Sequence, residues 1–597
     1  MAAAFAFALA LVTLLSGGLA WRAIAFSSRD PVRPLIAGVV LLVIARALAG
    51  ADEFRRLVGR YAGPPEQMPS RVAALASISV LVFALAWSSS AAGGSDSSCY
   101  VLQAEAFARG HATLDNGVAR VLPDAPNAVF APSGFLPSRS DYGRSVPICG
   151  PGLALVMAGA YLVHPQAVFL IVPVTAALLV WLTFVYGRRL DGGLTGASAA
   201  VLLACSPIFL YQAVQPMSDV PAAAAWLASL VCVLRGDRRG LVLGGLCFSV
   251  AVLMRANLAV LVVPLAAACL PKRGLSPFTV YEKRGQPPFS AEAAGEKRGQ
   301  PPFWVGRKGD SPLFSVVLFG AAALPGLAVM LALNAARYGG PFASGYGDTG
   351  GLFAWTHVTA NLARYPRWML ETQTPFVLLA LGAPWWASRD PERRRLVWVS
   401  LASVALIVAT YLAYTVFDDW WYLRFLLPVL PLVVALSVAV CRALMLGRPF
   451  AWLSSSARRF VLVLSCIAPC LWGIDVARAR HVTDLRRLEA RFALAGARAA
   501  RVLPADAVVI AGSQTGSLRF HGHRDTIAWD GIAPDELDRT VATLLARGRP
   551  VYFALDDEEE SRFRRRFAGE RLGALDWPPM EELPPPVRVR FYALLRQ

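Results

Sequence analysis

The sequence predicts an α-helical polytopic membrane protein carrying a small α/β domain at its C-terminal end. Three observations carry the helical membrane prediction. Mean hydropathy is +0.49, hydrophobic residues fill 56% of the 597 positions and charged residues 16%, a balance that no water-soluble globule of this length sustains. Apolar runs of helical length recur from Met1 to Ile474, then shorten beyond about Arg478 while charge rises. The net charge of +18 would suit nucleic acid in a soluble protein, but here the arginines cluster in short connectors between apolar runs. The positive-inside rule accounts for that placement, and nucleic acid is discounted.

Met1 to Trp21 reads as a retained helix, because no basic residue precedes the apolar run and no small-residue cleavage site follows it. Further spans run from about Leu35 to Ala49 and from Val72 to Trp87. The loop between them holds Arg55, Arg56, Arg60 and Arg71, which places it in the cytoplasm. Arg22, Arg29 and Arg33 then lie outside, against the rule. Residues 1–70 therefore form N-terminal helices ahead of a membrane domain over 71–476.

The first outer loop, 88–150, is too long for a mere connector and opens on SSSAAGGSDSSCYVLQAEAFARG. Asp96 is its chemical centre, since Gly93, Gly94 and Ser95 allow a tight turn that bares the acid to a ligand. Val101, Leu102, Ala104, Phe107 and Ala108 follow at helical spacing with Gln103, Glu105 and Arg109 between them, a pattern suited to the membrane surface. An acid here equally caps a helix that starts near Ser97. Of the nine cysteines only Cys99 and Cys149 lie in a long loop, which makes them a candidate disulfide; the others sit in apolar spans as small hydrophobes.

The loop closes on VPICGPGLALVMAGAYLV, where 152–163 is short for a crossing and reads as a candidate re-entrant segment. If only Val168 to Tyr186 crosses, the span from Leu194 to Leu210 delivers QAVQPMSDVP, with Asp219, to the outside. If both cross, Asp219 lies inside. Val220 to Leu234 returns to the cytoplasmic RGDRRG. Leu241 to Leu270 is broken at Arg255 and Asn257, as two short helices meeting at a polar turn, because a charge at mid-bilayer costs ~2.5–3.5 kcal/mol and needs a partner or water. Residues 271–312 contain EKRGQPPF twice and cannot form a core, so they read as a disordered cytoplasmic linker.

The remaining spans are roughly Leu313 to Leu333, Pro375 to Ala387, Arg395 to Val416, Phe425 to Cys441 and Arg459 to Ile474. Basic connectors alternate with the mixed aromatic and acidic stretches 338–351 and 417–425, giving about thirteen crossings with the C-terminus outside. Trp420, Trp421 and Tyr422 read as an interfacial belt, although aromatics also stack on sugars. The external soluble domain, 477–597, has strands expected at 507–511, 551–555 and VRVRFYALL and a helix over 534–547; its acidic run 556–560 reads as a solvated helix start.

Chemistry is expected where unusual polar residues converge. The outer face collects Asp96, Asp141, Asp219, Arg139, Arg144, Arg337, Asp348, His357, Asp418, Asp419 and Arg424. Acids that accept a proton and arginines that clamp phosphate are what group transfer from a lipid-phosphate donor requires. No Walker loop, dinucleotide fingerprint or Cys/His metal cluster occurs in the sequence, so the energy for a reaction must come from the substrate.

SDSSCYVLQAEAFARG, PICGPGLALVMA, QPMSDVPAAA and WYLRFLLPVLP, in that order, resemble bacterial GT-C glycosyltransferases, the group around protein O-mannosyltransferases and lipid A aminoarabinose transferases. The resemblance covers approximately residues 70 to 480. It implies an enzyme of the bacterial cytoplasmic membrane that takes a polyprenyl-phosphate sugar and transfers it, usually with inversion, to a lipid, glycan or protein acceptor on the outer face. It makes Asp96 the catalytic base and maps Asp219 to a second acid; Asp141, Arg139, Arg144, Arg337, His357 and Arg424 are substrate-binding candidates by their type and their place on the outer face. Here the first loop reads SDS where many relatives have Asp-Glu, which leaves a divalent metal open. Two other classes compete: a transporter or flippase for a lipid-linked or polar solute, which the broken helices fit, and a structural membrane subunit, for which Asp96 and Asp219 would be dispensable.

Overall fold

The computed structural model describes residues 19–21, 26–28, 66–270, 312–347, 349–447 and 450–594. The expected span from Leu35 to Ala49, the arginines at 22, 29, 33, 55, 56 and 60, Asp348 and linker residues 271–311 lie outside the described residues. Of the first expected helix only Leu19–Trp21 is described, and it is a short strand paired antiparallel with Phe26–Ser28.

Among the described residues five helices are long and apolar enough to cross a membrane: Met68–Trp87, Pro165–Asp191, Leu313–Tyr338, Pro391–Leu412 and Ser455–Ala479. Two bent pairs raise the number to seven, Gly193–Ala204 with Pro207–Ala213 at 65° and Trp420–Leu426 with Leu430–Leu446 at 83°. The described residues therefore supply fewer spans than the expected about thirteen. Runs counted as crossings, among them Asp219–Val233 and Pro375–Trp386, are too short on their own. Length was the weak point, since an apolar run packs inside a bundle as readily as it crosses one.

The Pro151–Val163 helix is short, as expected of it. Its start meets the backbone of Met254, because a Cβ on Gly152 would lie 2.5 Å from Met254 N. Its end returns to the C-terminal domain, where Tyr161 and Phe169 lie 6.3 and 6.1 Å from the Phe520 ring. Asp219–Val233 and Arg238–Met254 form an antiparallel hairpin. Asp237 caps the second helix by accepting from Gly240 N at 3.0 Å, and Ser229 Oγ donates to Gly244 O at 2.7 Å between the two. Such a hairpin returns the residue after its second helix, Arg255, to the level of the first residue of its first helix, Asp219.

The C-terminal domain is a five-stranded sheet in the order Asp525–Ala528, Val508–Ala511, Val551–Asp556, Val589–Leu594, Glu581–Glu582. The first three strands are parallel and the last two antiparallel. The expected strands and the helix Leu537–Ala546 are present, while Asp525–Ala528 and Thr515–Phe520 were not foreseen. This domain does not stand apart from the first outer loop. Val118, Leu122, Val129 and Phe130 of the loop share one apolar core with Ile510, Ile527, Phe553 and Phe563. Asn116 Nδ2 donates to Thr526 O at 2.9 Å, and Ser133 N donates to Thr515 Oγ1 at 2.9 Å.

Candidate functional site

Asp96 is the first residue of the helix Asp96–Ala108, where a carboxylate meets the positive end of the helix dipole. The helix does not lie on a membrane surface, as its pattern suggested: Ser97 through Ala106 are all buried. What covers it is the C-terminal domain and the rest of the outer loop. A Cβ on Gly516 would strike Ser98 Oγ at 1.9 Å, one on Gly93 the Phe492 ring at 2.1 Å, and one on Gly134 the Ser95 carbonyl at 2.1 Å. These approaches explain the small residues around Asp96, and Gly94 supplies the left-handed turn at φ +59°. The Cys99–Cys149 disulfide is formed and ties the first turn of this helix to the start of Pro151–Val163.

Two carboxylates and two arginines meet here. Asp96 Oδ2 accepts from Nη1 and Nη2 of Arg424 at 3.3 and 3.2 Å. Asp219, only 2% exposed, begins its helix and takes Arg255 on Oδ1. The pairs are joined by Tyr100 OH, which shares a 2.7 Å hydrogen bond with Ser218 Oγ, and by Phe425. The Arg255 and Arg424 guanidinium carbons lie 5.5 and 5.4 Å from its ring centre. Tyr411 stacks on Phe425 at 4.6 Å and accepts a hydrogen bond from the Asn257 amide. The arginines thus rest on an aromatic floor, an arrangement that holds desolvated cations by ring electrostatics.

The Tyr100 phenol is pushed up to about 12, first by burial and then by the Asp96 charge. Its hydroxyl therefore keeps its proton at neutral pH. Arg424 Nε is buried and has no protein partner. The cluster balances two positive against two negative charges and retains free donors, so it can receive an anion that displaces carboxylates from the arginines.

The other sequence candidates lie apart from this cluster. Arg337 is buried, donates to Ala112 O at 3.3 Å and, with the Gln103 amide turned to accept, reaches its oxygen at 3.1 Å. It clasps the far part of the Asp96 helix to the outer loop. Arg139 is exposed with its guanidinium over Gly339, Asp141 is exposed and accepts from Ser140 Oγ at 2.8 Å, and exposed Arg144 stands opposite Asp115 in the outer-loop sheet. His357 Nδ1 lies 3.2 Å from Ala413 O, and Asp418 pairs with Arg364. The interfacial belt is also corrected: Trp420 is buried, packs edge-on to Tyr211 at 5.3 Å and lies under the Arg480 guanidinium.

Sequence reasoning had flagged Arg255 only as a charge in need of a partner, and had not flagged Tyr100, Ser218 or Phe425. The hairpin spacing was the available signal, because it sets Arg255 against Asp219. Among the described residues no three His, Cys, Asp or Glu side chains gather where they could hold a metal. Both site carboxylates are held by arginines, so the residues present do not fit one.

No known family's sequence model matches the chain, and no curated protein matches it. Among solved structures it is similar to ArnT from Cupriavidus metallidurans bound to undecaprenyl phosphate, with a TM-score of 0.48 and 12% identity over 88% of this chain and 98% of that one. It is also similar to the Archaeoglobus fulgidus oligosaccharyltransferase in its apo form, again with a TM-score of 0.48 and 12% identity, over 87% of this chain and 73% of that one. Both are GT-C glycosyltransferases.

Proposed function

We propose that the protein is a membrane glycosyltransferase that moves a sugar from a polyprenyl-phosphate-linked donor to a lipid, glycan or protein acceptor at the outer face of the bacterial cytoplasmic membrane. The observation that carries this reading is the cluster Asp96–Arg424 and Asp219–Arg255 on the shared Phe425 ring. The donor phosphate takes Arg424 in place of Asp96, with Arg424 Nε as a further donor, while the Asp219–Arg255 pair stays closed beside it. Released from Arg424, Asp96 accepts the proton of the acceptor hydroxyl. The acceptor oxygen forms its bond to the sugar C1 as the bond from C1 to the phosphate oxygen breaks, and the electron pair leaves on the polyprenyl phosphate. General-base assistance of this kind supplies typically ~10²–10⁴-fold, and electrostatic stabilisation of the leaving group a comparable amount. Asp219 holds Arg255 in position, or orients the acceptor.

The transporter reading draws on the same bent helices. Against it, the sequence carries no internal repeat of its membrane spans, the build that many such transporters share. The test is transfer from radiolabelled polyprenyl-phosphate sugars in membranes holding the native protein. Transfer that Arg424→Ala abolishes is expected; native membranes that transfer nothing with any donor favour the transporter.

A further inference from the structure

The membrane domain carries a lateral groove that the acid–arginine cluster does not use. About 370 Å³ of open space lies between Leu378, Gly382, Trp385 and Trp386 on one side and Ala443 and Leu444 on the other. Small-molecule sites commonly measure about 300–1,000 Å³. Ala443 and Leu444 lie in the last turn of Leu430–Leu446, the end remote from Arg424. The two walls touch where Ser437 Oγ donates to Val377 O at 3.1 Å, and again at Gly382, where a Cβ would lie 3.2 Å from Val440 Cγ1. Beyond that contact the small side chain of Ala443 stands opposite the bulky Trp385 and Trp386, and the space between them stays unfilled.

One end of this apolar groove is basic. The Arg393 guanidinium carbon sits 4.8 Å from the Trp386 ring centre, a cation held on the groove wall by ring electrostatics. Arg393 shares the Asp191 carboxylate with Arg442, the neighbour of Ala443, at 3.4 and 2.7 Å, so two guanidiniums face one acid. The other acids here are engaged. Asp390 accepts from the amides of Glu392 and Arg393 at 3.0 and 3.1 Å and lies 3.6 Å from Arg393 Nε, and Glu392 lies 3.8 Å from Arg189. Arg389 and Arg394, in the same connector and the first turn of Pro391–Leu412, are exposed and in no ion pair among the described residues. Trp385 is 77% exposed on an apolar segment, as suits an indole at the level of lipid head groups.

An apolar slot, an indole at its edge and an excess of arginine beyond it match an amphiphile with a hydrocarbon chain and an anionic head. Guanidinium meets phosphate through paired hydrogen bonds, and basic pockets between membrane helices select anionic head groups. We propose that the groove holds an acyl chain of an anionic diacyl phospholipid, with its phosphate among Arg389, Arg393 and Arg394. Charge decides the occupant, because a zwitterionic lipid offers the same chains but brings its own cation towards the arginines. Such a lipid is held whether or not the protein transfers sugar.

The experiment titrates the full-length protein, delipidated in detergent, with dioleoyl phosphatidylglycerol or dioleoyl phosphatidylcholine and counts bound lipid by native mass spectrometry. A saturable phosphatidylglycerol site is expected, with phosphatidylcholine about tenfold weaker. Ala443→Trp fills the slot and should lose that lipid. Leu324→Trp, on Leu313–Tyr338 where Leu324 is 60% exposed, should keep it. Arg389→Gln with Arg394→Gln changes only exposed side chains and should remove most of the preference for phosphatidylglycerol. Equal affinity of the native protein for both lipids overturns the proposal, as does a preference that the double variant leaves unchanged. Equal behaviour of Ala443→Trp and Leu324→Trp would mean a general lipid coat and overturns it too. Undecaprenyl phosphate bound more tightly than phosphatidylglycerol, and lost in Ala443→Trp, would give the groove to a polyprenyl chain instead.

Discussion

In the membrane site each carboxylate has its arginine, Asp96 with Arg424 and Asp219 with Arg255, whereas in the C-terminal domain, in the crevice past the ends of the strands Val508–Ala511 and Val551–Asp556, Glu559, Gln514 and Trp529 keep polar atoms with no protein partner. The difference follows from charge. An uncompensated ion in low dielectric costs several kcal/mol, so a site that must hold ions before its substrate arrives stores them as pairs. Neutral amide and indole groups cost less to bury than an unpaired ion.

The largest effects should come from breaking the pairing. Arg255→Ala leaves Asp219 buried without a partner and should destabilise the protein by about 3–5 kcal/mol, measured as loss of folded protein in detergent. Arg255→Gln with Asp219→Asn should recover most of that stability; if the single and double variants are equally unstable, the pair is not a unit. Arg424→Ala leaves the less buried Asp96, so its effect should fall on turnover, a loss of about 10²–10³-fold in transfer with the melting temperature nearly kept.

The disulfide sharpens the same contrast, because Cys99 and Cys149 frame the membrane site and not the crevice. Cys99→Ser with Cys149→Ser should cost about 2–4 kcal/mol. Hydrogen exchange should rise around 95–108 and stay unchanged at 508–511; equal gains in both would show that the domains are not separable in this way.

A smaller effect is expected from pH. His521 joins the domains, accepting from Ala92 N at 3.3 Å and stacking on Phe169 at 6.2 Å, and burial lowers its imidazole to about 4. A folded value below the unfolded one means that stability is present above pH ~6.5 and is lost as pH falls towards 4, by about 2–3 kcal/mol at most. Lower protection of the 88–98 amides, relative to their intrinsic exchange rates, is expected as pH falls from about 6.5 to about 4, and His521→Gln should flatten that slope. In the crevice the sign reverses, because the raised Glu559 carboxyl destabilises the fold as pH rises through its folded value. Glu559→Gln should remove that loss.

Much of the site was legible because ligand-facing acids need room. Asp96 after Gly93 and Gly94, Asp219 after a short apolar hairpin and Arg424 among aromatics all stood out by type and neighbours, and the structure brings these three into one cluster. Arg255 was visible as a charge that needed a partner, but naming Asp219 required the hairpin. The outer-loop candidates Arg139, Asp141 and Arg144 shared the right types and the same loop. Position within a loop says nothing of which way the loop folds, and they stand on an exposed sheet. The Asp96 helix looked amphipathic because its partner surface, the C-terminal domain, begins almost 400 residues later, at Phe492 and Gly516. For the same reason the buried half of the acidic run 556–560 read as solvated.

The most direct measurement is sugar transfer from radiolabelled polyprenyl-phosphate donors by native protein and by Asp96→Asn at matched abundance. With Asp96 as the base, the native protein transfers and the variant loses about 10²–10⁴-fold while undecaprenyl phosphate still binds. Equal transfer by both proteins would contradict it and remove Asp96 from the chemistry.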